Sequence, residues 1–278
     1  MIPNKIIKAK SIVESVLSLA LGILIAFPLF YAFMCGFKDD ATFDSFPPTI
    51  FPKDFTYLDN FKHVLFDSLV PRFMLNSLLI AVAVTLVRLL LSMFAAYSFA
   101  FFNFKGKNVL FFIIIGTMMI PTEAVLIPNY ITISKLGLLN SYVGIMAVYF
   151  VSAIQVFMFR QSFKTISSSL REAAFLDGCG DLQFFFQICI PVSKAIITAL
   201  SLNSFVAIWN TYLWPLLVTN RPEMRTVQVG ITMLAADDSG VKAPIFAAIA
   251  IILLPTIIIF AFGQRNIVRG IASGSVKG

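Results

Sequence analysis

The sequence is short of charge, of cysteine and of histidine, and each shortage closes off a class of function. Only 13% of the 278 residues are Asp, Glu, Lys or Arg, where a water-soluble domain carries about a quarter. With 59% of the residues hydrophobic and 30 of them Phe, a soluble fold would leave large apolar patches in water, so lipid is the fitting solvent. The three cysteines, Cys35, Cys179 and Cys189, are odd in number and irregularly spaced, which gives neither a disulfide framework nor a metal site. The one histidine, His63, has no partners that would make a catalytic case. No catalytic constellation is expected anywhere. The phosphate-binding pattern G-x-x-x-x-G-K-[ST] is also missing, since Gly106-Lys107 is followed by Asn108 with no glycine five residues before Gly106. The chain therefore cannot hydrolyse ATP by itself. The formal charge of +7 is scattered between apolar runs, which fits membrane orientation and not nucleic-acid binding.

What is present is a set of long apolar runs. Crossing a bilayer takes about 20 apolar helical residues. Six stretches qualify, at about 12–36, 74–99, 109–128, 139–159, 195–218 and 244–263. The period-2 alternation of a membrane barrel is missing, so the expected fold is all-α, a polytopic membrane protein of six transmembrane helices over 1–278. Lys5, Lys8 and Lys10 precede the first run, which is longer than a signal-peptide core and lacks a cleavage site; it reads as a retained span. With both termini in the cytoplasm, the inner segments hold Lys105, Lys107, Arg160, Lys164, Arg171, Lys194, Arg265, Arg269, Lys277 and the three N-terminal lysines. The outer segments hold the smaller set Lys38, Lys53, Lys62, Arg72, Lys135, Arg221, Arg225 and Lys242, and most of the acids. This asymmetry follows the positive-inside rule. The outer loops are then 37–73 and 219–243, the longest inner loop is 160–194, and the inner tail is 264–278.

The inner loop has its own pattern. Ser169 followed by Glu172 reads as a capping box that starts a short helix. Gly178 and Gly180 can end it, Asp181 can cap a second helix, and Pro191 would interrupt that one. The expected result is a helix, a glycine turn and a helix, a compact knob suited to a cleft in another protein.

Those residues resemble a known signature. Glu172-Ala173-Ala174, Asp177-Gly178, and Ile188, Ile190 and Pro191 are similar to the EAA loop of ABC importer permeases, with Ile190 where leucine is usual. The resemblance implies that 170–180 is a coupling helix seated on a cytoplasmic ATPase, with Glu172 making polar contacts and Ala173, Ala174 and Gly178 allowing close packing. The segments 209–217 and 264–278 resemble the shorter, six-span permease of maltose-type carbohydrate importers, and the likeness extends from the outer Pro47-Pro48 segment through Asn76-Ser77 to Gly278. It implies a sister permease, an ATPase dimer carrying ATP and Mg, an extracytoplasmic solute-binding protein, and an inner-membrane location. No cofactor is expected on this chain. Gln264, Arg265, Arg269 and Lys277 are candidates to reach the ATPase interface, or the basic Arg265, Arg269 and Lys277 simply hold the last span's inner end. MMIPTEAVLIPNY and RTVQVGI also look like glycerol phosphate permeases, so a sugar and a polyol phosphate both stand as substrate classes. The competing class, an ion-coupled secondary transporter, calls for internal repeats and intramembrane carboxylates. No repeat is present, and Glu123, expected near the outer end of the third span, is the only well-placed acid.

Polar residues within spans usually face a partner or an aqueous path. Arg88, near mid-span, can attract an anionic solute, pair with a sister subunit, reach a lipid headgroup or bind inside the bundle. Asn203, Asn210 and Thr211 in the fifth span can line the pathway or bond neighbouring helices. Trp209, Tyr212 and Trp214 read as interfacial belt residues.

Overall fold

The computed structural model describes residues 4–236 and 242–275. Regular structure among the described residues is helical throughout, as lipid demands of a backbone that must bond to itself. Contacts gather into two units, Met1–Pro71 with Ile231–Leu254, and Arg72–Gly230 with Pro255–Gly278.

The first unit contains α1 (Asn4–Cys35). Its stretch Val13–Cys35 is long and apolar enough to cross a membrane, and hardly any of it is buried against the chain. The turn after α1 needs Gly36, because a Cβ there would lie 2.9 Å from the Phe61 ring and 3.1 Å from the Ala247 backbone. The segment that follows is ordered by polar contacts. α2 (Asp40–Phe43) is capped by Asp39, whose carboxylate accepts the Thr42 N–H at 2.9 Å. Hydrogen bonding from the Thr42 side chain and backbone holds the Asp39 carboxyl below its ordinary pKa. Asn60, on α3 (Asp59–Phe66), donates to the carbonyls of Gly36 and Lys38 at 3.0 and 2.7 Å. Lys38 is itself buried and donates to the Thr49 carbonyl.

The second unit is threaded by α4 (Val70–Phe101), the other straight span. Three further spans are bent. α5 (Lys107–Gly116), extended by a tight turn to Met119, meets the Thr122–Val125 turn and α6 (Leu126–Lys135) at 97°. Pro121 explains this break, since it forces Ile120 into extended backbone at φ −84° and ψ 118°. α7 (Tyr142–Met146), with the Ala147–Tyr149 turn, meets α8 (Ala153–Phe163) at 49°, where Ser152 caps α8 by accepting the Gln155 N–H at 3.4 Å. α9 (Ser168–Leu176) follows. Then α10 (Asp181–Phe184), a π turn over Phe185–Cys189 and α11 (Ile190–Val192) run on as one piece, which meets α12 (Lys194–Trp209) at 79°. Pro191 thus does not interrupt the second helix of the inner loop. It lies in α11, directly after the π turn over Phe185–Cys189, and the bend falls two residues later at Ser193.

The bends at 120–121 and 150–152 fall inside the runs 109–128 and 139–159, the bend at Ser193 falls just before the run 195–218, and that run is divided where α12 stops at Trp209 before α13 (Leu213–Val218). The expected outer loop 219–243 is half helical, with a tight turn at Pro222–Met224 and α14 (Val227–Ala236). Asp237-Asp238-Ser239-Gly240 lies outside the described residues. The sixth run falls within α15 (Ala243–Ser275), which contains Pro255 and is apolar over Ala243–Ile258.

Candidate functional site

α9 begins one cap earlier than its sequence suggests. Ser167 is the N-cap, its hydroxyl accepting the Leu170 N–H at 3.3 Å, and Ser169 lies inside the helix with its hydroxyl donating to Ser167 Oγ at 3.3 Å. The Ser169–Glu172 capping box is therefore not formed, and Glu172 is left pointing out, exposed. The helix ends in a Schellman motif. Gly178 stands at φ +82°, the Cys179 N–H donates to the Ala174 carbonyl at 2.9 Å, and the Gly178 N–H donates to that of Phe175 at 3.1 Å. Gly180 then caps α10 in extended backbone without a side-chain bond, so Asp181 is not the cap.

Asp181 is instead the hub of a polar clamp. Its carboxylate accepts from Tyr97 Oη at 3.0 Å and from Arg171 Nη2 at 3.2 Å. Arg171 also donates to the Phe101 carbonyl at 3.2 Å and lies over the Phe101 and Phe175 rings at 5.2 and 5.0 Å. Tyr97 and Phe101 belong to the end of α4, Arg171 to α9 and Asp181 to α10, so three elements are tied at one point. The clamp sits on an apolar core: Leu89, Met93 and Ala96 of α4, Phe159 and Phe163 of α8, Ala174 of α9, and Phe184, Phe185 and Cys189 from the second helix. α9 is thus fastened rigidly to the ends of membrane helices. Nothing in the sequence pairs Arg171 with Tyr97 and Asp181, which lie 74 and 10 residues away along the chain. Only the acid ten residues on was a visible cue.

The candidate coupling residues divide by face. Glu172, Ala173, Asp177, Gly178 and Pro191 are exposed. Ala174 is 9% exposed and turned to the chain's own core, so its small size serves internal packing, and Ile190 packs half-buried on that core. Leu176, which the motif did not single out, is 88% exposed. A cavity of about 810 Å3 adjoins it, lined by Phe101, Lys164, Ile166, Arg171, Glu172 and Phe175 among others. α9 and its cap therefore present two acidic residues, Glu172 and Asp177, two small ones, Ala173 and Gly178, and a bare leucine on a fixed support.

The candidate pathway residues separate. Arg88 Nε donates to the Tyr149 carbonyl at 2.6 Å, and Nη1 reaches Ser204 Oγ at 3.4 Å. The Tyr149 carbonyl is one that the break before α8 leaves outside the helical ladder, and a cation at a helix C-terminus is favoured. Arg88 thus bonds within the bundle. Asn203 on α12 and Asn210 at its C-terminal cap are exposed, and Asn210 Oδ1 accepts from Gln228 at 3.2 Å. Thr211 bonds back to the Ala207 carbonyl at 3.0 Å. Glu123 is exposed in the Thr122–Val125 turn. Trp209 and Trp214 are not belt residues: they are 2% and 3% exposed, and Trp214 Nε1 donates to the Gly144 and Ile145 carbonyls. Tyr212 remains exposed. The side chains of Gln264, Arg265 and Arg269, and all of Lys277, lie outside the described residues.

At the other end of the unit the segment 219–227 is held by buried polar groups. Asn76 Nδ2 donates to the Glu223 and Arg225 carbonyls at 2.8 and 2.9 Å, and its Oδ1 accepts from Tyr142 at 2.7 Å. Ser77 Oγ accepts the Val227 N–H at 2.8 Å. Asn140, at φ 55°, accepts from the N–H groups of Asn220 and Arg221 at 2.6 and 3.1 Å. No group of three or more potential metal ligands occurs among the described residues.

Residues 88–273 match the family described as binding-protein-dependent transport system inner membrane component. The chain is 34% identical over 258 residues to the sn-glycerol-3-phosphate transport system permease protein UgpE of Yersinia pestis bv. Antiqua, covering 90% of this chain and 91% of that one. Its fold is similar to that of a chain in the crystal structure of a bacterial ABC transporter involved in the import of the acidic polysaccharide alginate. There the TM-score is 0.84 at 22% identity, covering 95% of this chain and 99% of that one. A second structure, the alginate transporter in complex with alginate pentasaccharide-bound periplasmic protein, aligns with a TM-score of 0.66 at 16% identity over 94% and 95% of the two chains.

Proposed function

The chain belongs to the family of binding-protein-dependent transport system inner membrane components, and from that membership we propose that it is one of two permease halves of an importer for a carbohydrate or a polyol phosphate. A partner ATPase, binding ATP with its Mg, would drive it through α9. Both termini and the 160–194 loop would face the cytoplasm, where the excess of Lys and Arg belongs. The solute-binding protein would dock on the opposite side, against the segments 37–73 and 219–243.

The observation that carries the coupling role is the contrast between the two faces of α9. One face is locked to α4, α8 and α10 by the Arg171–Asp181–Tyr97 clamp and the core around Phe184 and Phe185. The other exposes Leu176, Glu172 and Ala173. A lever needs this arrangement, because a push on the free face must travel through packed side chains instead of being lost in a loop. Covering Leu176 with a partner would contribute about 1.5–3 kcal/mol. The tail positions Gln264, Arg265, Arg269 and Lys277 would add a second contact with the ATPase. Asn203 and Asn210, exposed on α12 and its C-terminal cap, are the polar residues best placed to meet solute, whereas Arg88 would act by holding the broken span together.

On substrate, the glycerol phosphate reading rests on the 34% identity to the Yersinia permease over 90% of this chain. The test is uptake by the assembled importer in proteoliposomes, comparing labelled sn-glycerol 3-phosphate with a neutral oligosaccharide. ATP-dependent uptake of either supports the importer and chooses the substrate class. Solute movement by this chain alone, without ATP, would contradict it.

A further inference from the structure

A cavity of about 510 Å3 lies where α4 ends, α5 begins and α8 ends, adjoining the one beside α9 through Asn103 and Lys164; Asn103, Gly106, Lys107, Asn108, Arg160 and Lys164 line it. Three of these are cations and no carboxylate lines the space. Among the described residues none of the three forms an ion pair, in contrast to Arg171, which has Asp181. Lys164 also borders the neighbouring cavity that holds Glu172, but the two are not paired.

The cluster is built and not accidental. Arg160 is buried, its Nε donating to the Phe99 carbonyl at 3.2 Å and its guanidinium lying 3.9 Å from the Phe111 ring centre. Lys107 is fixed by a bond from Nζ to the Phe102 carbonyl at 2.6 Å. Like charges gathered at the ends of membrane helices repel one another in a medium that screens poorly. An anion between them offsets that cost, and α5 adds the field of a helix N-terminus with no side-chain cap. Arg and Lys together suit phosphate oxygens, the first through its planar fork and the second as a point charge.

We propose that this cavity binds a phosphate-type oxyanion, supplied by an anionic phospholipid headgroup or by free phosphate. Its position at the ends of three membrane helices is headgroup depth, and the exposed side chains of Phe104 and Val109 at its edge provide apolar surface for an acyl chain.

The test uses the full chain purified in detergent and equilibrated with phosphatidylglycerol, phosphatidylcholine or inorganic phosphate, with retained ligand read by native mass spectrometry. Lys107→Gln/Lys164→Gln is compared with Lys62→Gln on α3, a lysine that does not line the cavity, as a control, and Lys164→Gln alone covers the case in which the double variant unfolds. The expected result is retention of phosphatidylglycerol over phosphatidylcholine, falling roughly 5- to 30-fold in the double variant, the scale of two basic residues at an anionic surface. Selective lipid retention that inorganic phosphate does not displace assigns the lipid source. Phosphate binding without lipid selectivity, lost in the variants, assigns the free anion. Equal retention of both lipids with no phosphate binding, or a preference unchanged in the variants, overturns the proposal.

Discussion

Arg88 shows how a residue that looks functional in sequence can be structural in space. A charged side chain at mid-span costs about 2.5–3.5 kcal/mol on insertion scales, and its partner is the Tyr149 carbonyl, 61 residues away. Nothing in the local sequence marks that carbonyl as free, because the break before α8 comes from Ser152 and not from a proline. Arg88→Met should therefore lower stability by about 1–3 kcal/mol by leaving a buried carbonyl unpaired, read as a lower melting temperature in detergent, with Arg88→Lys recovering part of the loss. A fully stable Arg88→Met chain with altered solute preference would return Arg88 to the pathway. Gly144 makes a sharper case. A Cβ there would lie 2.1 Å from the Leu138 carbonyl oxygen, so Gly144→Ala must shift backbone and should cost at least as much as typical overpacking, about 1–3 kcal/mol. Thermal unfolding of the purified chain checks it.

Among the elements, α9 was the most legible. The glycine that ends it could be read directly, since a left-handed residue after a helix is nearly always Gly. Its start could not: Ser167, Ser168 and Ser169 all satisfy the preference for a hydroxyl cap, and only the fold selects Ser167. The bent spans were legible in part. Pro121 signals its break, whereas Ser152 and Ser193 break helices without a Pro or Gly directly beside them, and apolar runs continue across Pro121 and Ser152. Replacing Gly178 with Ala should destabilise the end of α9 by about 1–2 kcal/mol, the cost of a left-handed conformation for an L-residue. Hydrogen exchange at Cys179, whose N–H closes the cap, should accelerate while α4 stays protected. An Asp181→Ala substitution attacks the same element from the core side. It removes the carboxylate that accepts from Arg171 and Tyr97 and leaves each with a backbone carbonyl, that of Phe101 and that of residue 181, so α9 should loosen while its exposed face is unchanged, and transport should fall even where ATPase binding persists.

For the whole molecule, composition was enough to place the chain in a membrane, and the Glu-Ala-Ala pattern was enough to point to its family. What sequence could not give was the division of labour around the inner loop: which residues hold α9 to the membrane helices and which are left free. Arg171, Tyr97 and Asp181 are spread over 84 residues and are joined only by folding. Leu176 escaped notice because an isolated leucine beside an acidic residue has no signature until its exposure is seen. The central claim, that the free face of α9 docks an ATPase, is tested most directly by tagging the chain in its native host and measuring which subunits co-purify with the wild type and with Leu176→Asp. The account predicts that the variant melts at the wild-type temperature and retains its sister permease, but loses the ATPase. An ATPase that stays bound to the variant, or never accompanies the wild-type chain, would contradict it.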